Sequence, residues 1–187
     1  SKNITTTLLP GQPETDVTPW VTLIDEAGIR VAGRRAGSGD TGALASSLIG
    51  FLAAVQPGDY VGLLPYLPAT PQHEAAMATL ATRVRSRVRA PVTVNLGPRY
   101  LHSTGQLHKG GPATGVFVII TASADSDIAI PGEAFGFGQL NLAQAEGDYR
   151  VLAGLDRRVI RVHLSCPTDI GLEKLSACLE TDAMASG

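Results

Sequence analysis

Gly115-Val-Phe-Val-Ile-Ile-Thr-Ala122 is the stretch on which the fold turns. It is almost continuously apolar and β-branched, with no alternation of polar and apolar positions. That is how a strand buried on both faces reads, and such strands belong to parallel sheets covered by helices. The sheet is therefore expected to be built around residues 115–122. Upstream, residues 60–67 (YVGLLPYL) form a second apolar run of strand length, in which Pro65 predicts an edge position, a bulge or an early ending. Residues 91–96 (PVTVNL) predict a third strand and 158–164 (RVIRVHL) a fourth. Near the amino terminus, 20–24 (WVTLI) and 28–34 (GIRVAGR) read as two strands meeting around a turn at 25–28.

Helical periodicity fills the gaps between these strands. Leu44, Leu48, Phe51, Leu52 and Val55 recur at helical spacing, with Asp40 placed to cap and Pro57-Gly58 to stop the helix. Thr70-Pro71 opens a second helix with Met77, Leu80, Val84 and Val88 on its inner stripe; Arg83, Arg85, Arg87 and Arg89 gather near its end, where cations suit the helix dipole. Residues 137–149 and 169–179 predict two more, the last with Leu172, Leu175 and Leu179 inward. Strands separated by helices of this length imply parallel pairing through crossover helices. The expected fold is thus α/β: a mostly parallel sheet of about five strands, flanked by helices in three layers, with room for an antiparallel pair at the amino-terminal end. Residues 1–19 read as a linker or an ordered entry segment left from a preceding domain, 20–182 as one domain and 183–187 as a tail.

Composition narrows the class of function. Hydrophobic residues are 44% and charged residues 17%, which excludes a disordered chain. A net charge of −2 lacks the basic footprint that a nucleic acid partner requires. No run is long enough for an apolar membrane span, and the first seven residues lack the basic start and apolar middle of a secretory signal, so a cytoplasmic location is expected. Cys166 and Cys178 have neither zinc-ligand spacing nor disulfide-scaffold density and read as small core residues.

The segment richest in chemistry is 99–112 (RYLHSTGQLHKGGP). As an anion site it would use Lys109 or Arg99 for charge, His102, Ser103, Thr104 and Gln106 as polar partners, and the backbone N–H groups of Gly110 and Gly111. The plainer reading, which is preferred, has Ser103, Thr104 and Gln106 capping a helix, the glycines making a turn and the histidines satisfying backbone carbonyls. Neither a Walker loop nor a dinucleotide-binding glycine triplet is present, so no nucleotide cofactor is expected. His102 and His108 lie six apart with no carboxylate between them, so no metal site is expected either. Ser103 has no base able to reach its hydroxyl. Asp125 and Asp127 read as loop residues, Glu146 and Asp148 as solvated, and His73 and His163 as ordinary surface or strand residues. The glycines of 132–138 suggest a close backbone approach.

Four stretches, QPGDYVGLLPYLPATPQHEA (56–75), LGPRYLHSTGQLHKGGPATGVFVIIT (96–121), IPGEAFGFGQLNLAQAEGDY (130–149) and RRVIRVHL (157–164), resemble in order the carboxy-terminal region of bifunctional transaldolase and glucose-6-phosphate isomerase proteins. The resemblance implies a parent enzyme of glycolysis and gluconeogenesis that interconverts glucose 6-phosphate and fructose 6-phosphate, with most acid/base residues in isomerase domains preceding this segment. It also implies those domains as partners, and makes this chain a supporting domain that is inactive alone. Ser1-Lys2 is similar to the end of the family's lysine motif, which would make Lys2 a catalytic remnant; an expression-tag scar explains the same two residues. Asn141 departs from the family pattern, where a lysine is common. Two other readings stand beside this one: an independent sugar-phosphate-binding module, and a structural oligomerisation domain that would form homo-oligomers.

Overall fold

The structure, a computed structural model, describes residues 21–33, 44–123 and 127–180. Lys2, Trp20, Asp40 and Asp125 lie outside these, as do the expected linker and tail. Six strands form one sheet: β1 (Val21–Glu26), β2 (Ile29–Gly33), β3 (Tyr60–Tyr66), β4 (Val92–Val94), β5 (Gly115–Ala122) and β6 (Arg158–Leu164). Their order is β1-β2-β6-β5-β3-β4. Strands β3, β4, β5 and β6 run parallel, while β2 is antiparallel to both β1 and β6. The helices among the described residues are α1 (Leu44–Ala53), α2 (Pro71–Val88), α3 (Thr104–Gly110), α4 (Phe137–Gly154) and α5 (Thr168–Cys178), with a 3-10 turn at Arg99–His102. This is the mostly parallel α/β sheet expected, with one strand more.

β5 sits inside the sheet between β3 and β6, and its residues 115–121 are all buried. Its side chains alternate between two cores. Val116, Val118 and Ile120 pack with Met77, Leu80 and Val84 of α2 and Leu172 and Leu175 of α5. Phe117 and Ile119 face the other way, against Ala145, Tyr149 and Leu152 of α4 and Tyr100. Two covered faces are the reason the sequence shows no polar alternation here.

Local chemistry accounts for the element ends. Ala27 (φ 52°) and Gly28 (φ 79°) both adopt left-handed backbone and make the two-residue turn that suits the twist of the β1–β2 hairpin. Gly28 is doubly constrained, because a Cβ there would lie 2.9 Å from Cys166 Cβ. Thr70 caps α2 by accepting from the N–H of His73 at 3.2 Å, with Pro71 opening the helix. Replacing Thr70 by alanine should cost about 1 kcal/mol, read as a lower urea midpoint with unchanged slope; no shift would mean that the cap is already satisfied by solvent.

Of the three readings of Pro65, the early ending holds and the edge does not: β3 is interior, and Pro65 lies one residue before its end, past the last residue paired with β4. On that side Leu63 and Pro65 offer their carbonyls to the N–H groups of Asn95 and Gly97, so the missing proline N–H removes only one rung beyond the ladder. Residues 99–110 are a 3-10 turn followed by α3, so a helix is present here as in the plainer reading of this segment. Glu146 and Asp148 are not solvated: Glu146 is 8% exposed and Asp148 fully buried, because α4 extends to Gly154 and packs both against the sheet.

Candidate functional site

The two ends of the sheet differ. At the amino end of the parallel strands, arginines close the surface. Arg158 grips Asp59 through two hydrogen bonds of 2.6 and 2.8 Å, and Arg157 donates to the carbonyls of Lys109 (2.8 Å) and Gly111 (2.6 Å). The Arg158 hydrogen bond, more than any other influence, holds the Asp59 carboxyl below its ordinary range.

At the carboxyl end lies a crevice of about 730 Å³. Its position follows from topology. The chain leaves β3 through α2 on one face and leaves β5 through α4 on the other, so the connections diverge between neighbouring strands, and such a switch point leaves an opening above the sheet. The walls are the last residue of β3 and the segment after it (Tyr66–Ala69), the segment after β4 (Leu96–Arg99), the last residue of β5 and those after it (Ala122, Ser123, Asp127, Ile128), and the first turns of α4, including Asn141. Gly97 allows the second of these to come in close, since a Cβ there would meet the Tyr66 ring at 2.6 Å.

Polar groups line this crevice in distinct states. Arg99 is exposed and has no ion-pair partner among the described residues. Asp127 accepts from the N–H groups of Gly138 (2.6 Å) and Gln139 (3.1 Å), so its carboxylate occupies the positive end of α4. Those N–H groups, Gly138 foremost, hold its pKa below the ordinary carboxylate value. The linkage sign is fixed: a depressed folded pKa contributes stability above the unfolded value near 3.9 that is lost as pH falls through the folded one. Asp127→Ala should therefore lower the thermal midpoint at pH 6 and narrow its gap to wild type below about pH 3.9; a gap independent of pH would refute the charge-based cap. A Cβ on Gly138 would lie 3.0 Å from Asp127 Oδ1, which is the close approach that the glycines of 132–138 suggested. Asn141 Nδ2 donates to the carbonyl of Tyr66 at 3.1 Å and ties α4 to the end of β3.

A second set opens from the ends of β5 and β6, where Thr121 and His163 are paired in register. Thr121 Oγ1 lies 2.9 Å from His163 Nδ1, and Ser123 Oγ lies 3.1 Å from His163 Nε2. Burial first, then the charges of Arg161 and Arg30, holds the His163 pKa below its ordinary value, so the ring is neutral at pH 7.

Beneath the crevice a buried polar chain leads away from it. Tyr66 Oη is 3.2 Å from Tyr100 Oη, Tyr100 donates to Asp148, and Lys109 Nζ stands 2.6 Å from the other Asp148 oxygen. That last contact is an ion pair without hydrogen-bond alignment. Burial, reinforced by the Asp148 charge, raises both tyrosine pKa values far above the ordinary one. His108 is packed among Tyr60, Tyr100 and Phe117, and its Nδ1 lies 2.8 Å from Tyr60 Oη.

The candidate residues of 99–112 are thus dispersed. His102, Ser103, Thr104 and Gln106 are exposed on the 3-10 turn and α3, none lining the crevice; Thr104 Oγ1 reaches Asn95 at 3.3 Å. Ser103 makes no side-chain cap and donates to the carbonyl of Tyr100 at 3.3 Å. Lys109 turns inward to Asp148; Gly111 gives its N–H to the carbonyl of Leu107, and Gly110 ends α3. Arg99 alone of this segment lines the crevice. Asn141, Asp127, Ser123 and His163 were missed. Only the glycine spacing at 132–138 hinted at Asp127, while the Ser123–His163 contact depends on strand register.

Together these features define a three-layer α/β domain with a polar crevice at the strand carboxyl ends. No family model and no curated protein matches the chain. Among solved structures it is similar to a hypothetical protein of Thermus thermophilus, at a TM-score of 0.60 and 20% identity. The match covers 73% of this chain and 38% of that one, and it speaks for the fold alone. No helix among the described residues is long and apolar enough to cross a membrane.

Proposed function

We propose that this chain is the carboxy-terminal domain of a glucose-6-phosphate isomerase, holding sugar phosphate in the carboxyl-end crevice while the proton transfers between carbons are performed by groups elsewhere in the parent protein. The observation that carries this reading is the state of the crevice's acid groups. Asp127 is the one carboxylate lining it among the described residues, and two backbone N–H groups hold that carboxylate in its ionised, weakly basic form. A general base for abstracting a carbon-bound proton needs a pKa near the working pH, and Asp127 is shifted the opposite way. Asp148, beneath the crevice, is buried and engaged with Tyr100 and Lys109. What remains in the crevice suits binding: the Arg99 guanidinium, which has no ion-pair partner among the described residues, hydroxyl and amide groups, and apolar lining.

The test pairs two measurements on this chain. With glucose 6-phosphate at millimolar concentration, the amide resonances of Gly97, Ser123, Gly138 and Asn141 should shift in a saturable way, and no fructose 6-phosphate should accumulate. Turnover at the rate of a complete isomerase would overturn the division of labour, and unchanged crevice resonances would overturn the ligand.

A further inference from the structure

Resting on the sugar-phosphate reading above, we propose that the crevice is polarised: Arg99 receives the anionic group of the ligand, and Ser123 with Asp127 accepts hydrogen bonds from its hydroxyl end. The argument starts at Thr121, which is fully buried. Its hydroxyl lies 3.4 Å from the carbonyl of Val162, which can only accept. With its hydrogen directed there, Thr121 Oγ1 accepts from His163 Nδ1–H at 2.9 Å. A neutral imidazole that carries its proton on Nδ1 has a bare Nε2, so Ser123 donates to it across 3.1 Å. The Ser123 hydrogen is thereby committed to His163, and the hydroxyl offers only lone pairs to the crevice.

Asp127 adds to the same wall. Each of its oxygens accepts one backbone N–H from α4, and an ionised carboxylate has about four lone-pair sites, so it can accept further hydrogen bonds from a ligand. A phosphate cannot take this place: the end of α4 is already filled by a negative charge, which would repel a second one. The cation available stands elsewhere. Arg99 follows β4 and Ser123 follows β5, with β3 between them, so the two walls are about two strand spacings, roughly 10 Å, apart. A phosphorylated sugar bridges that span and inorganic phosphate does not.

The test has one arm without ligand and one with it. Nitrogen-15 NMR of the free protein at neutral pH should show His163 as the Nδ1–H tautomer; the Nε2–H tautomer or an imidazolium would overturn the inference whatever binds. Calorimetry should then show glucose 6-phosphate binding more tightly than either glucose or inorganic phosphate. Arg99→Met should weaken glucose 6-phosphate about tenfold and leave glucose unchanged, since an exposed charge-assisted contact to phosphate is lost. Ser123→Ala should weaken both sugars several-fold and leave phosphate unchanged. Both positions are exposed, so folding is checked by an unchanged thermal midpoint. Glucose 6-phosphate bound with equal affinity by wild type and both variants would overturn the polarised crevice while the sugar-phosphate reading stands; no binding by wild type would overturn both.

Discussion

Replacing Asp148 by alanine is expected to lower the unfolding free energy by about 3–5 kcal/mol, the cost of removing one partner from a buried ion pair. Asp148 is fully buried on α4 and receives the Tyr100 hydroxyl and the Lys109 ammonium, whose side chain is only 17% exposed. Without the carboxylate, Lys109 is left as a partly buried charge with no counterion among the described residues. The Tyr66–Tyr100 pair also loses the acceptor at its end. Both effects act in the same direction. Lys109→Met alone should also destabilise, because it leaves a buried carboxylate without its cation. The pair Asp148→Ala with Lys109→Met should cost less than the two single changes added together, since neither charge is then left without its partner. Urea unfolding of the four proteins measures this cycle. Additive losses would show that the two groups do not act as a pair.

Phe117→Ala is expected to cost a similar amount, about 3–5 kcal/mol. The ring is fully buried in the middle of β5, packed edge-on to Tyr60 with centroids 5.9 Å apart and against His108 at 4.8 Å. Two glycines make room for it. A Cβ at Gly62 on β3 would lie 2.9 Å from Phe117 Cδ1, and one at Gly115 would overlap the ring. Gly115→Ala should therefore cost about 1–3 kcal/mol through overpacking, and a smaller side chain at 117 should recover part of it. The double variant Gly115→Ala with Phe117→Leu should be more stable than the sum of its parts, and additivity there would argue that the ring and the glycine do not share the space. A loss below about 1 kcal/mol for Phe117→Ala would mean that the second core does not depend on the ring.

How far the site could be read from the sequence depended on the range of the interaction. α4 illustrates the boundary. Ala145, Asp148 and Leu152 stand at i, i+3 and i+7, so the periodicity that buries Ala145 and Leu152 also carries Asp148 inward. The signal was present, but the general tendency of carboxylates to face water outweighed it, and the partners that overcome that tendency, Tyr100 and Lys109, lie about forty to fifty residues earlier in the chain. The segment 99–112 shows the converse. Its density of polar residues suggested a single ligand site, yet a 3-10 turn and a short helix point its members in different directions: Arg99 to the crevice, Lys109 to the interior, and His102, Ser103, Thr104 and Gln106 to solvent.

The sequence alone determined the α/β class, the doubly buried strand at 115–122, the hairpin that precedes α1 and the start of α2 at Thr70, because each of these depends on contacts within a few residues or on periodicity along one element. Tertiary structure alone decided the strand order, the crevice at the divergence of β3 and β5, the burial of Asp148 and the meeting of Ser123 with His163. Those follow from register and crossover between segments far apart in the chain, and such pairings are set by how whole faces pack together and leave no mark in any local window of residues.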